Sequence, residues 1–292
     1  MIDFMRYKWV FFLISALVLV PGVISLVIWR LNPSVDFTGG TLWEVKLEKV
    51  ASLQEFKGYL EQKLSEKDIT LSLVQKTGER TFLLKLSPLS EDQKETVKLD
   101  IKEDYGDFKT LRFETVGALM GKELLIKTLI GIILAAGFIL FYVAWRFKNK
   151  MYGVCAILAM FHDTLIVLGI FSLLGHFWGV EVDILFVTAI LTVLSFSVHD
   201  TVVVYDRIRE LRKLYPKADF TYLVNQAISE TLVRSLNNSL TIIFMLLALL
   251  LLGGTTIRWF VVALLIGTIA GTYSSTFTAA PLLVVWYERT KK

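Results

Sequence analysis

A single cysteine, Cys155, in 292 residues excludes a disulfide framework and any metal cluster built on thiolates. The sequence holds only three histidines, and none lies between residues 31 and 122. That stretch also lacks a Ser/His/Asp set and a phosphate-cradling glycine loop. No cofactor is expected there, and a binding or coupling surface is a better reading than an enzyme. Charge is missing over long distances as well. Hydrophobic residues make up 54% of the chain, its mean hydropathy is +0.59, and the apolar residues form continuous runs in place of helical stripes. A bilayer is therefore the expected solvent.

A spanning helix needs roughly 20 apolar residues to cross about 30 Å of hydrocarbon. Six runs suffice, giving transmembrane helices at about 9–30, 124–145, 151–174, 182–205, 233–252 and 259–286. The fifth has its apolar part at Leu236 to Leu252 and reaches spanning length only with Thr231 to Ser235, which draws Arg234 into the membrane or to its edge. The first run follows Arg6 and Lys8 as a signal peptide would, yet Trp29, Arg30 and Leu31 offer no small-x-small cleavage pair. It reads as a retained anchor.

Lys and Arg set the orientation, because cytoplasmic loops carry their excess. Arg6 and Lys8 precede the first span, Arg146, Lys148 and Lys150 separate the second and third, and a basic segment, 206–232, separates the fourth and fifth. Arg289, Lys291 and Lys292 close the chain, while His176 to Glu181 holds no Lys or Arg and Gly253 to Arg258 holds one. The expected organisation is a cytoplasmic N-terminus (1–8), an extracytoplasmic domain (31–122), a five-helix membrane body (123–287) and a cytoplasmic C-terminus (288–292). The net charge of +4 follows from this asymmetry and implies no nucleic-acid partner.

Residues 31–122 have the composition of a soluble domain. Thr41 to Leu47 reads as a strand, Ser52 with Glu55 caps a helix to about Ser65, and Ile69 to Gln75 and Thr81 to Leu86 are strands joined at Thr77 and Gly78. Ser90 with Gln93 caps a second helix, and Phe108 to Thr115 is a last strand. The fold class expected is thus a polytopic α-helical membrane protein with six transmembrane helices plus an α+β, ferredoxin-like (βαββαβ) extracytoplasmic domain. In the sixth helix Gly267, Gly271 and Ser275 recur every four residues, which permits close approach of another backbone.

An ionised side chain at a helix centre costs at least about 2.5 to 3.5 kcal/mol in hydrocarbon, so each one marks a candidate site. Asp163, Asp200 and Arg234 qualify, with the adjacent His162 and His199. Asp200 and Arg234 lie at comparable depth on consecutive helices, and an ion pair between them is predicted. Arg234, Asn237, Asn238 and Thr241 share one face of the fifth helix, and Thr188, Thr192, Ser195 and His199 share one face of the fourth. If these stripes face each other they form a water path. His199 and Asp163 each have two readings, as hydrogen-bonded glue between helices or as carriers of a proton. Asp36, Phe37, Gly39 and Gly40 read as a tight turn at the membrane exit, where glycine permits backbone geometry that other residues resist.

Val35 to Gly40 match the Asp-Phe-x-Gly-Gly signature, Ser197 to Glu210 read SVHDTVVVYDRIRE, and Thr231 to Thr241 read TLVRSLNNSLT. With ETVGALMGKELL before the second helix, these blocks make the chain similar to the SecF subunits of the bacterial Sec translocase, a family related to the RND superfamily. His199 stands where that family usually has Asn, and Ala118 where Pro is common. The resemblance implies residence in the bacterial cytoplasmic (inner) membrane and use of the proton motive force, with protons as the coupling ion. It implies a SecD-like partner, the SecYEG channel, an unfolded translocating polypeptide and, as a further candidate, a YidC-type insertase. The family's transmembrane Asp and Arg carry over onto Asp200 and Arg234. Two rival readings are half of an RND-type exporter, which would call for a large outer cleft, and a structural stabiliser in which the intramembrane charges only lock helices.

Overall fold

The computed structural model describes residues 3–49, 51–147 and 149–290, with the side chain of Thr255 left aside. Lys148, Lys291 and Lys292, three of the basic residues used for orientation, lie outside the described residues, as do Met1 and Ile2 of the expected N-terminal segment. Pro33–Leu129 form one compact unit and the other described residues a second.

In the first unit a helical turn, α2 (Val35–Thr38), leads into β1 (Gly40–Leu47), α3 (Leu53–Ser65), β2 (Leu71–Lys76), β3 (Thr81–Leu86), α4 (Glu91–Tyr105) and β4 (Phe108–Val116). The sheet is antiparallel and ordered β2-β3-β1-β4. Both inner strands are paired on two sides; β1 is buried along nearly its whole length, while β3 alternates with the period of two of a pleated strand. Helix α3 starts where the Ser52 hydroxyl accepts from the Glu55 amide at 3.1 Å. Helix α4 starts at a reciprocal capping box: the Gln93 amide donates to Ser90 Oγ, and the Ser90 amide donates to Gln93 Oε1. Phe56 and Leu60 from α3 and Val97 and Ile101 from α4 close over Val45, Phe82 and Leu84, all nearly free of solvent. Phe56 and Phe82 meet with ring centres 4.7 Å apart.

The second unit holds helices long and apolar enough to cross a membrane, one of which, Ala118–Arg146, begins in the first unit. The six candidates are Phe4–Ile28, Ala118–Arg146, Lys150–Trp178, Ile184–Leu214, Phe220–Leu252 and Arg258–Thr290. The first is a 3-10 turn followed by α1 (Lys8–Ile28), and the next four are α5 (Ala118–Arg146), α6 (Lys150–Trp178), α7 (Ile184–Leu214) and α8 (Phe220–Leu252). The chain between the fourth and fifth spans is shorter than its polarity suggested, because α7 continues to Leu214 and α8 begins at Phe220. Ion pairs hold these polar extensions: Arg207 meets Glu230 at 2.5 Å and Glu210 at 2.6 Å, and Asp206 pairs with Arg209 at 3.1 Å and with Arg146.

The sixth span is interrupted. Helix α9 (Arg258–Ser274) passes through a π-helical turn, Ser275–Ala279, into α10 (Ala280–Thr290). Pro281 has no amide to donate back along the helix, and its ring crowds the preceding turn, so a widened turn there is the local adjustment.

Small residues set the packing. A Cβ built on Gly267 would lie 2.0 Å from Val193 Cγ2, so α9 approaches α7 as closely as the four-residue glycine spacing suggested. Helices α1 and α6 touch through Gly22 and Gly169, and Ser25 donates to Ser172 at 2.8 Å one turn away. Helix α6 is buried along much of its length, whereas no side chain of α5 from Lys122 to Tyr142 is buried.

Candidate intramembrane site

Asp200 lies near the middle of α7 and is half-buried. Its Oδ2 accepts from Ser235 Oγ on α8 at 3.2 Å. The predicted ion pair with Arg234 is not formed, since Arg234 has no ion pair among the described residues and points outward. The cause is helical geometry. One residue step turns a side chain by about 100°, so with Ser235 facing α7 the neighbouring Arg234 is carried to the outer side.

A narrow cleft of about 10 Å³, close to the room one water needs, opens beside Asp200. Asn238 and Ser239 of α8 line it with Gly267, Gly271 and Thr272 of α9, and Thr272 Oγ1 donates to Ser239 Oγ at 2.7 Å.

The two polar stripes do share helix faces, but those faces do not enclose a path within this chain. Thr188, Ser195 and His199 on α7 and Arg234, Asn237, Asn238 and Thr241 on α8 are all exposed, and Thr192 is half-buried. The sequence pattern shows which residues share a face and is silent on which way that face turns. A surface carrying a guanidinium, an imidazole and two amides does not suit lipid.

Asp163 is the deeply enclosed carboxyl. It sits halfway along α6 with no solvent exposure. His162 Nδ1 lies 2.9 Å from its Oδ1, and Ser274 Oγ, at the end of α9, donates to its Oδ2 at 2.6 Å. Ser197 and Thr201 on α7 are also fully buried, and neither hydroxyl has a hydrogen-bond partner among the described residues. These hydroxyls went unmarked in the sequence because Ser and Thr are cheap in apolar helices. Their spacing of four, which puts both on one helix face, is the signal that was available.

At the other motif, Ser34 caps α2 by accepting from the Asp36 amide at 3.2 Å, and Phe37 is buried. Gly39 and Gly40 take φ of +72° and +125°, so the glycines serve a backbone that L side chains rarely adopt. Gly39 packs on Ala118, and a Cβ on Gly121 would fall 2.8 Å from the Gly39 amide nitrogen. The Asp-Phe-x-Gly-Gly turn and the ETVGALMGKELL segment are thus two sides of one contact.

The profile of "Protein export membrane protein SecD/SecF, C-terminal" matches residues 96–289. Protein translocase subunit SecF of Thermobaculum terrenum is 43% identical over 298 residues, covering 98% of this chain and 94% of the relative. The protein translocase subunit SecDF of Thermus thermophilus is 38% identical over 266 residues, which cover 89% of this chain and 35% of that longer one. A crystal structure of SecDF from Thermus thermophilus, described as a translocon-associated membrane protein, superposes with a TM-score of 0.85 at 34% identity, over 99% of this chain and 39% of that one. A crystal structure of SecDF in a super-membrane-facing form gives a TM-score of 0.68 at 35% identity. With matches that run through both the Pro33–Leu129 unit and the membrane helices, the chain belongs to the SecD/SecF family of protein export membrane proteins.

Proposed function

We propose that this chain is the SecF-type accessory subunit of a Sec translocase and that, with a SecD-type partner, it couples the proton gradient to late steps of protein export. The observation that carries the reading is the half-buried Asp200, hydrogen-bonded to Ser235 beside a water-sized cleft, one residue from an exposed intramembrane arginine. A protonated Asp200 is neutral and rests on the Ser235 hydroxyl. Once it loses the proton, the carboxylate gains from meeting Arg234, which needs only a rotation of its long side chain or a small turn of α8. Each proton crossing a potential of 100 mV releases about 2.3 kcal/mol, enough to shift a two-state equilibrium more than tenfold.

The exposed face of Arg234, Asn237, Asn238 and His199 is read as the surface that the SecD-type partner covers. In SecDF relatives this chain corresponds to little more than a third of the length, so the remaining polypeptide includes what a separate SecD would supply. The orientation we favour has both termini cytoplasmic and the 31–122 domain extracytoplasmic. We read that domain as ferredoxin-like, since two helices and a sheet ordered β2-β3-β1-β4 suit a split βαβ pair. Contacts with SecYEG, a YidC-type insertase and the translocating chain belong to the same proposal.

Replacing Asp200 by Asn tests it. The variant should assemble with its partner and lose the gradient-dependent part of export. Normal gradient-dependent export by Asp200→Asn would overturn the proton role, and failure to assemble would favour a structural lock.

A further inference from the structure

We infer that Asp163 forms a second, inner proton-binding site, in series with Asp200 and reached through the gap left by Gly271. The inference rests on the proton-coupled reading of Asp200 and extends it to a group that reading does not use.

Asp163 is fully buried between three helices, yet its surroundings are not those of a carboxyl placed only to glue them. Its two oxygens hold one contact each, with His162 Nδ1 and Ser274 Oγ. On α6 and the neighbouring α7, three further polar atoms are buried without a partner among the described residues, His162 Nε2, Ser197 Oγ and Thr201 Oγ1, and Ser197 and Asp163 both lie against Gly271. An unmet buried polar group costs about 1–3 kcal/mol, so several together mark a place where an exchangeable water or proton completes the hydrogen bonding.

Gly271 stands between Asp163 and the cleft beside Asp200. It lines the cleft with Asp200, Ser239 and Thr272, and a Cβ built on it would stand 3.7 Å from Asp163 Oδ2 and 3.6 Å from Ser197 Cα. The absent side chain is what keeps the two carboxyl sites from being walled apart. Thr201, the residue after Asp200, faces inward while Asp200 faces the cleft, so α7 carries polar groups on both sides of the gap.

The other charged and titratable groups on the packed elements are occupied or distant. On α1 there is Lys8, paired with Glu288 of α10 at 2.7 Å. Helix α9 carries Arg258 at its start and Tyr273, whose hydroxyl donates to the Phe11 carbonyl at 2.8 Å. Tyr205 of α7 donates to the Ala279 carbonyl in the π turn at 2.8 Å. On α6 itself His162 touches Asp163 directly and Cys155 is two turns away, His199 of α7 is exposed, and the C-terminal end of α10 holds Tyr287, Glu288 and Arg289. Asp200 is therefore the natural exchange partner.

The step is a proton transfer. The O–H bond of protonated Asp200 breaks, each intervening water or hydroxyl accepts one proton and passes one on, and a new O–H bond forms on an Asp163 oxygen, leaving Asp200 as carboxylate and Asp163 neutral. The π turn directly after Ser274 lets α9 reset the Ser274 contact as the charge on Asp163 changes, the kind of place where such turns recur.

Infrared difference spectroscopy of the full chain in lipid nanodiscs, stepped between about pH 4 and about pH 9, reads carboxyl protonation directly. The wild type is expected to show two intramembrane carboxyl stretching bands that respond to pH. Asp163→Asn should remove one and Asp200→Asn the other. Should Asp163→Asn fail to fold, Ser274→Ala keeps the carboxyl and is expected to shift the Asp163 band by removing its hydrogen bond. Gly271→Val should abolish the response of the Asp163 band while that of Asp200 persists. An Asp163 band that stays constant over the range, or one that responds in Gly271→Val as in the wild type, overturns the inference. Gradient-driven export in Asp200→Asn judges the underlying reading separately.

Discussion

Replacing Gly169 by Ala should separate α1 from α6. The Cβ would stand 2.5 Å from Gly22 Cα and 2.8 Å from its carbonyl carbon. Carbons prefer about 3.5–4.0 Å, so the backbones must part by roughly 1 Å, and no flexible side chain is there to yield. Overpacking of this kind costs about 1–3 kcal/mol. One turn along, Ser25 donates to Ser172 at 2.8 Å and Ser172 to the Arg30 carbonyl at 2.7 Å. Intramembrane hydrogen bonds average about 0.6 kcal/mol, so losing both brings the total to about 2–4 kcal/mol. The mirror substitution should be milder, because a Cβ on Gly22 meets Gly169 Cα at 3.1 Å, a gap that a few tenths of an ångström relieve. The assay is thermal unfolding in nanodiscs, paired with disulfide formation between Ser25→Cys and Ser172→Cys after Cys155→Ala removes the native thiol. Gly169→Ala should lower the midpoint and the cross-linking yield, with Gly22→Ala between it and the wild type. Equal midpoints for the two variants, or an unchanged yield in Gly169→Ala, would refute the reasoning.

Gly267→Ala, whose Cβ would fall 2.0 Å from Val193 Cγ2, should destabilise the body by about 1–3 kcal/mol and be rescued by Val193→Ala in the double variant, measured by the same unfolding assay. Gly39→Ala places an L residue at φ +72° and its Cβ 2.7 Å from Ala118 Cα, so a loss of at least about 1 kcal/mol is expected, read as increased protease sensitivity around Asp36. Phe82→Ala should cost about 3–5 kcal/mol in the Pro33–Leu129 unit, seen as earlier unfolding by circular dichroism. Burial, then Asp104, push the Tyr59 phenol above its ordinary value near 10.0, so the fold favours the neutral form. Its contribution is whole below pH about 10 and is lost as pH rises through the elevated value; Tyr59→Phe should flatten that alkaline decline in a pH series of unfolding midpoints.

The parts legible in the sequence were those with local signals. Ser90 with Gln93 announces a helix start through contacts three residues apart, and alternation along Thr81 to Leu86 announces a half-buried strand. The glycine spacing at 267 and 271 gave a close-packed face because a missing side chain acts wherever the neighbour comes from. The π turn at Ser275–Ala279 was not legible, since Pro281 dictates the loss of a hydrogen bond and leaves the form of the repair to tertiary packing. The lengths of α7 and α8 were underestimated for a related reason. The charges from Asp206 to Glu230 look like a loop when counted, and become helix once Arg207 finds Glu210 and Glu230.

The Asp200 and Arg234 assignment shows where sequence reasoning about membrane charges stops. Cost arguments identify residues that need a partner, and helical periodicity says which share a face, but neither chooses among partners within one turn. Ser235, adjacent to Arg234, makes the contact because it is the residue of α8 turned toward α7, and Arg234 stands about 100° around the helix from it. The result is a division of polarity. Asp163, Ser274, Ser197 and Thr201 face inward and are enclosed by this chain alone, whereas Arg234, Asn237, Asn238 and His199 face outward. An outward guanidinium inside or at the edge of the hydrocarbon is costly in lipid, which is why the proposed function assigns the outward set to a surface that a partner covers. The inner set can therefore be studied in the isolated chain, while under the proposed function the chemistry of Arg234 is to be sought in the assembled pair.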